Sequence, residues 1–330
     1  RPFFGEKATV AMGMLGIFYE HFTNVNEAGF NSNVVLDDDL RATVQWKRAM
    51  SAFENLPMGQ KQESIIKALL PEENLIKWIS SFANEVIFNS APFNLGEYFR
   101  NCTTNFSQIL MHDASVSADG SFKLIREIFE LDSSWSAIKE DFKGEIEPTL
   151  SLKFYEKFPN PYSSGYFKKC VALFSEIIKI KKGKCLFLMS SKKTVEAMYS
   201  ALLPYAQDCD SRLLGVGPSG GVGKSLALFL DKPDSSILLS TNQVLPFLHE
   251  FERHIETIVF QKIPFDPPDD PILSARGSQF DNGFEQYNLP RAIMRFREIL
   301  NILGRGNSKK ICHLLDSRLS NKDYGQLFTV

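Results

Sequence analysis

The stretch Lys184-Cys185-Leu186-Phe187-Leu188-Met189-Ser190-Ser191 decides the fold. Its apolar run is strand-sized, lacks the polar alternation of a half-exposed strand, and stops at a pair of serines, as expected of a strand covered on both faces. The same rhythm extends on either side. A helix is expected over 167–178 before it and another over 194–203 after it. Then follow a strand over 213–216, a helix over 225–230, strands over 237–240 and 257–260, a long helix over 289–303, a strand over 310–315 and a terminal helix. This alternation implies an α/β fold built on a parallel, doubly wound sheet.

Upstream the pattern is different. Helices are expected over 8–22, over 40–53 behind the acidic Asp37-Asp38-Asp39, over 60–70, and over 72–83, where Leu75, Trp78, Ile79 and Phe82 share one helical face. Ile109-Leu110-Met111 could form a short buried strand, followed by the turn Ala118-Asp119-Gly120-Ser121 and a helix over 122–129. The chain thus divides into a mainly α-helical part at 1–104, a connecting part at 105–162 and an α/β part at 163–330. Pro264 to Pro271 forms a loop within the last part.

With 330 residues, 44% of them apolar and 12% aromatic, the chain can bury at least one large core. No eighteen-residue apolar run suggests a membrane span. Five cysteines, Cys102, Cys170, Cys185, Cys209 and Cys312, have spacings that match no zinc, iron–sulfur or secreted-disulfide framework, so a reducing cytoplasmic location is expected. A chain opening on Arg1 is expected to be a piece of a longer one. The net charge of −2 hides an asymmetry. Residues 161–330 hold 22 Lys+Arg against 17 Asp+Glu, a surplus of +5, and residues 1–160 hold 15 against 22, or −7. The basic half permits a polyanionic partner.

Gly217-Pro218-Ser219-Gly220-Gly221-Val222-Gly223-Lys224-Ser225 looks like a phosphate loop, since it follows a strand, opens a helix and ends in Gly-Lys-Ser. Register argues otherwise. The required first glycine is Pro218, which has no N–H to offer a phosphate, and no acidic strand end follows to hold magnesium. A strand-to-helix turn is the expectation. His21, His112, His249, His254 and His313 have no metalloprotease spacing, and no Gly-x-Ser-x-Gly elbow is present. Lys168, Lys169, Lys179, Lys181, Lys182, Lys184, Lys192 and Lys193 flank one strand–helix unit, while Arg291, Arg295 and Arg297 follow a later helix; such charges form either a solvated rim or a polyanion-binding face.

Taken together, the second half resembles the C-terminal motor domain of the DinG/XPD-type superfamily 2 helicases. Lys184 to Ser191 resembles the strand ending in paired hydroxyls that touches the nucleic-acid backbone. Lys262-Ile263-Pro264-Phe265, with Pro268, Asp270, Pro271 and Ala275 behind it, resembles the family's K-L-P-F-x-x-P-x-D-P loop. Tyr287, Leu289, Pro290 and Ala292 open the expected helix, and Leu314-Leu315-Asp316-Ser317-Arg318 with Tyr324-Gly325 resembles the closing I-L-D-x-R and Y-G. Upstream, Ala91-Pro92-Phe93 and the Leu110 to Ser117 segment stand where the first motor domain ends, and the preceding helices would be its arch-like insertion. The resemblance implies a RecA-like sheet. It also implies single-stranded DNA or another nucleic acid as partner, contacted by Ser190, Ser191, Lys192, Ser240, Thr241, Lys262 and Arg318.

The departures weigh on function. The family's Q-G-x-G-R-x-x-R should fall at Arg297 to Gly304, where Asn301 and Gly304 stand in place of the two arginines that stabilise the transferring phosphoryl group; Arg305 is one residue away. The G-T-x-S-F-W-E-G-V-D motif is reduced to Ser240-Thr241-Asn242-Gln243-Val244-Leu245-Pro246, and T-S-A-T has become His112-Asp113-Ala114-Ser115. Expected, then, is a helicase-derived chain with degenerate motor motifs, no catalytic residue, no metal and no cofactor of its own. ATP and Mg would enter only through an upstream motor domain. Two alternatives stay open: a divergent, active ATP-dependent DNA helicase whose nucleotide site lies upstream, and a structural interaction module of a repair or nuclease assembly. No membrane partner is expected.

Overall fold

The computed structural model of the chain describes residues 32–54, 67, 69–72, 74–82, 85–104, 106, 118, 122–135, 149–180, 183–231, 235–267, 270–304 and 308–328. The helix expected over 8–22, most of that over 60–70, the strand over 109–111, the His112 to Ser115 segment, Lys181, Lys182, Pro268 and Arg305 lie outside these residues. The chain forms two units, one from residues before 111 with 124–135 and 266–288, the other from 111–123, 136–265 and 289–330.

In the first unit, the expectation of an all-helical segment fails at residues 75–82. Leu75–Phe82 is strand β2, paired antiparallel with β1 (Ser32–Val35) and with β3 (Glu85–Pro92) in the order β1-β2-β3. The spacing of Leu75, Trp78, Ile79 and Phe82 fits a helix, but Ile and Trp are strand formers. Pairing of all eight residues of β2 with β3, from Leu75 opposite Pro92 to Phe82 opposite Glu85, outweighs that periodicity. The helix expected over 40–53 is two, Asp38–Ala42 and Val44–Glu54. Thr43 breaks them with an extended backbone (ψ 150°), and its hydroxyl accepts the Trp46 N–H at 3.2 Å, so the second helix starts on a side-chain cap. Leu95–Thr103 is capped by Asn94 and Pro271–Gly277 by Asp270.

The second unit is a six-stranded, wholly parallel sheet in the order β4-β9-β8-β5-β7-β6. Its strands are β4 (Leu150–Phe154), β5 (Lys184–Leu188), β6 (Arg212–Gly215), β7 (Ser236–Ser240), β8 (Ile255–Phe260) and β9 (Lys310–Leu314). β5 is central and buried along its whole length, as its apolar run demands. Cys185 and Phe187 face one core with Phe174 of helix Tyr166–Ile180 and Met198 of helix Lys192–Asp208. Leu186 and Leu188 face the other, with Phe229 of helix Val222–Asp231 and Ile293, Phe296 and Leu303 of helix Leu289–Leu303. This is the RecA-like layer of sheet and flanking helices. β4 was not expected and lies ahead of the boundary drawn at 163, so the sheet begins by Leu150. Ser151 and Lys153, which share its outward face, are exposed, which weakens the apolar signal a buried strand would carry.

Candidate functional site

Parallel pairing puts every strand's carboxyl end on one edge of the sheet, where open α/β sheets hold their ligands. On that edge Ser190 and Ser191 follow β5, Thr241 follows β7, Gln261 and Lys262 follow β8, and Asp316, Ser317 and Arg318 follow β9. β5 pairs with both β7 and β8, so the serines sit beside Thr241 on one side and Lys262 on the other. Six of the seven residues assigned from sequence therefore reach the edge.

Ser240 does not. It ends β7 in the same orientation as Leu238, is 0% exposed, and its hydroxyl has no hydrogen-bond partner. Only its carbonyl acts at the edge, accepting the Met189 N–H at 2.7 Å and so joining the ends of β5 and β7. Ser191 is exposed and caps helix Lys192–Asp208 by accepting the Thr194 N–H at 3.1 Å, with Lys192 exposed in the first turn. Ser190 donates its N–H and hydroxyl to Gln261 Oε1 at 3.2 and 3.3 Å. Thr241 Oγ1 accepts from Gln243 Nε2 at 3.0 Å.

A cationic and aromatic cluster stands beside the serines. The buried Asp316 carboxylate accepts the Ile263 N–H at 2.9 Å, the Arg318 N–H at 3.1 Å, and a two-pronged Arg318 guanidinium at 2.8 and 2.5 Å. Such a bidentate pair fixes the planar guanidinium and ties the end of β9 to the loop after β8. Burial opposes the Arg318 charge, yet the bonds and charge of Asp316 more than reverse this and raise its pKa. The guanidinium lies 5.6 Å from the Tyr162 ring centre and 5.3 Å from that of Phe265. Lys262 Nζ lies 5.3 Å from the Tyr162 ring and 5.9 Å from Tyr166. Burial lowers the Lys262 pKa, Arg318 lowers it further, and Asp316 only partly offsets them. Beneath them the Tyr166 hydroxyl donates to the Gln261 carbonyl, and burial pushes the Cys170 thiol up to about 12, leaving it un-ionised.

Other basic residues divide. Lys168, Lys169, Lys179 and Lys193 are exposed, whereas Lys184 is 5% exposed and donates to the carbonyls of Phe229 and Leu230, so it leaves the basic face. Arg295 donates to the Pro264 carbonyl at 2.9 Å and Arg297 to that of Leu327 at 3.5 Å.

The glycine-rich segment opens on a closed turn. Gly217 and Gly220 bridge each other, N–H to carbonyl, at 2.8 and 3.0 Å, while the Ser219 N–H donates to Gly215 and the Ser225 hydroxyl to Gly220. The N–H groups of Gly217, Ser219 and Gly220 are thus consumed in a turn, and Pro218 has none to offer. Asn301 is exposed and the Gly304 carbonyl accepts the Thr149 hydroxyl at 2.7 Å, so neither position carries a cation. No group of three or more His, Cys, Asp and Glu side chains is disposed to hold a metal among the described residues. His313 is buried against the Tyr155 hydroxyl at 2.8 Å. No helix of the described residues is long and apolar enough to cross a membrane.

Sequence reasoning missed Gln261, Tyr162 and Tyr166. Gln261 carried one usable signal, its place directly after an apolar strand. The tyrosines lie far from Lys262 and Arg318 in the chain and meet them only through the fold.

Comparison with known proteins agrees with this architecture. Residues 174–330 match the family described as the helicase C-terminal domain. The 3'-5' exonuclease DinG of Bacillus subtilis (strain 168) is 23% identical over 255 residues, which are 74% of this chain and 27% of that protein. The 3'-5' exonuclease DinG of Staphylococcus aureus (strain bovine RF122 / ET3-1) is 26% identical over 233 residues, 68% of this chain and 25% of its own length. The chain thus spans about a quarter of the curated relatives it matches. A solved XPD helicase shares the fold with a TM-score of 0.59 at 14% identity, over 98% of this chain and 60% of that one.

Proposed function

From a chain whose residues 174–330 are a helicase C-terminal domain of the DinG/XPD type, we propose a helicase-derived module that binds single-stranded nucleic acid along the carboxyl edge of its sheet and does not itself turn over ATP. The observation that carries this reading is the meeting of Ser190, Ser191, Lys192, Thr241, Lys262 and Arg318 on that edge. Hydroxyls and backbone N–H groups at strand ends can bond phosphate oxygens whatever the base, and the cations add sequence-independent attraction. Pro218 in place of the loop's first glycine, the N–H groups of Gly217, Ser219 and Gly220 bonded within the turn, and Asn301 and Gly304 at the arginine positions support the lack of phosphoryl transfer. The test is fluorescence anisotropy of the purified chain with labelled single-stranded oligonucleotides at rising salt. Affinity that falls steeply with salt and varies little with sequence is expected; its absence at low salt would leave an interaction module of a repair or nuclease assembly.

A second reading follows from the share of the relatives that the chain spans: a first motor domain elsewhere in the protein would supply the ATP and magnesium site. ATPase activity of the longest natural form, stimulated by single strands, would support it.

A further inference from the structure

Tyr162 has 78% of its surface exposed, the most of any large apolar or aromatic side chain among the described residues. It is nevertheless held in place. Asn160 to Ser163 form a turn closed by the Ser163 N–H on the Asn160 carbonyl at 2.9 Å, with the Tyr162 N–H on Asn160 Oδ1 at 2.9 Å and Pro161 buried at its second position. Arg318 Nη1 reaches the Tyr162 hydroxyl at 3.3 Å, fixing the far end of the ring. Arg318 is itself clamped by Asp316, whereas Lys262 forms no ion pair among the described residues. An exposed, anchored aromatic ring with Lys262 Nζ and the Arg318 guanidinium over it, 5.3 and 5.6 Å from its centre, lacks the cover expected of a core aromatic and has the parts that a stacked base and its phosphate need.

We infer that Tyr162, Lys262 and Arg318 seat one nucleotide unit of a single strand, its base stacked on the Tyr162 ring and its adjoining phosphates taken by the two cations. The inference rests on the single-strand reading above and adds to it a defined contact for a base. Stacking is tolerant of base identity, so the seat accepts any of the four bases. The clamp on Arg318 also sets its limits: with Asp316 holding two of its nitrogens, it can offer a phosphate only what remains, and Lys262, outside any ion pair among the described residues, supplies the second charge.

The experiment compares wild type, Tyr162→Ser, Tyr162→Phe and Lys262→Ala for binding to a labelled single-stranded oligonucleotide and to an abasic oligomer of equal length, by anisotropy at low salt. Tyr162→Ser is expected to weaken binding to the intact strand by about ten-fold, within the range measured for a lost base–aromatic stack. It should leave the abasic oligomer unaffected. Tyr162→Phe should bind as wild type, because the ring is kept. Lys262→Ala should weaken both oligomers alike. Because Tyr162 is exposed, its variants should fold, which circular dichroism verifies. Wild-type binding with no difference between Tyr162→Ser and wild type on the intact strand overturns the seat and leaves the single-strand reading standing. No salt-dependent binding by wild type overturns both.

Discussion

Lys184 Nζ lies 2.6 Å from the carbonyl oxygen of Phe229 and 3.2 Å from that of Leu230, beneath helix Val222–Asp231. The last carbonyls of a helix have no partner within it and carry its negative end, so a buried ammonium is both bonded and electrostatically matched there. The device recurs: Lys310 of β9 donates to Leu303 at the end of helix Leu289–Leu303, and Lys77 of β2 donates to the carbonyls of Lys67 and Leu70. For Lys184 and Lys310, a lysine in a strand ties a helix end to the sheet.

Replacing Lys184 by methionine keeps the aliphatic packing and orphans these carbonyls. The expected loss is about 1–3 kcal/mol of stability, measured by urea unfolding. Single-strand affinity should not change, because the ammonium does not reach the surface.

Asp316→Ala should cost more, about 3–5 kcal/mol, since it strands a largely buried guanidinium and leaves the Ile263 N–H without its acceptor. Exchanging both partners for apolar residues, Asp316→Leu with Arg318→Met, should recover most of that stability while single-strand affinity stays low. Thermal unfolding and anisotropy of the single and double variants check both halves of this expectation.

Lys262 sets a pH dependence. Its folded pKa lies below the ordinary lysine value of 10.5, so in the window beneath 10.5 the folded chain binds fewer protons than the unfolded one. The group's contribution to stability therefore rises with pH through that window, while its attraction for phosphate falls. Single-strand affinity should decline at a lower pH than ordinary lysines would produce. Lys262→Arg, which keeps its charge, should remove that early decline. Lys192→Ala should instead lower the slope of log affinity against log salt by about one, equally for every sequence.

In the glycine-rich turn the expected pattern is the reverse of a phosphate loop's. Gly220 has φ +118°, and a Cβ there would lie 2.8 Å from Lys224 Cδ, so Gly220→Ala should cost about 1–3 kcal/mol of stability. Lys224→Ala should stay within about 0.5 kcal/mol of wild type, and neither form of the chain should hydrolyse ATP. Denaturant melts and a magnesium-dependent phosphate-release assay give the answer. Turnover abolished by Lys224→Ala would falsify the turn assignment.

The apolar runs at 185–189 and 237–239, the amphipathic helix 289–303 and the order of motifs around them determined an α/β sheet with its hydroxyl-bearing strand ends, because strand burial and helix periodicity are written in consecutive residues. Tertiary structure alone decided the rest. Leu75–Phe82 carried a helical spacing, and only pairing with the strand that follows it, Glu85–Pro92, could make it β2. Ser240 and Thr241 are equally polar neighbours, yet the alternation of β7 sends one into the core and leaves the other at the edge. Lys184 and Lys192 look alike in a basic run, and what separates them is a helix end packed over one of them. Tyr162 meets Lys262 and Arg318 because β8 and β9 are neighbours in the sheet. The helix end over Lys184 and the tyrosine beside Lys262 and Arg318 come from segments tens of residues or more away, so no short window of sequence contains both partners.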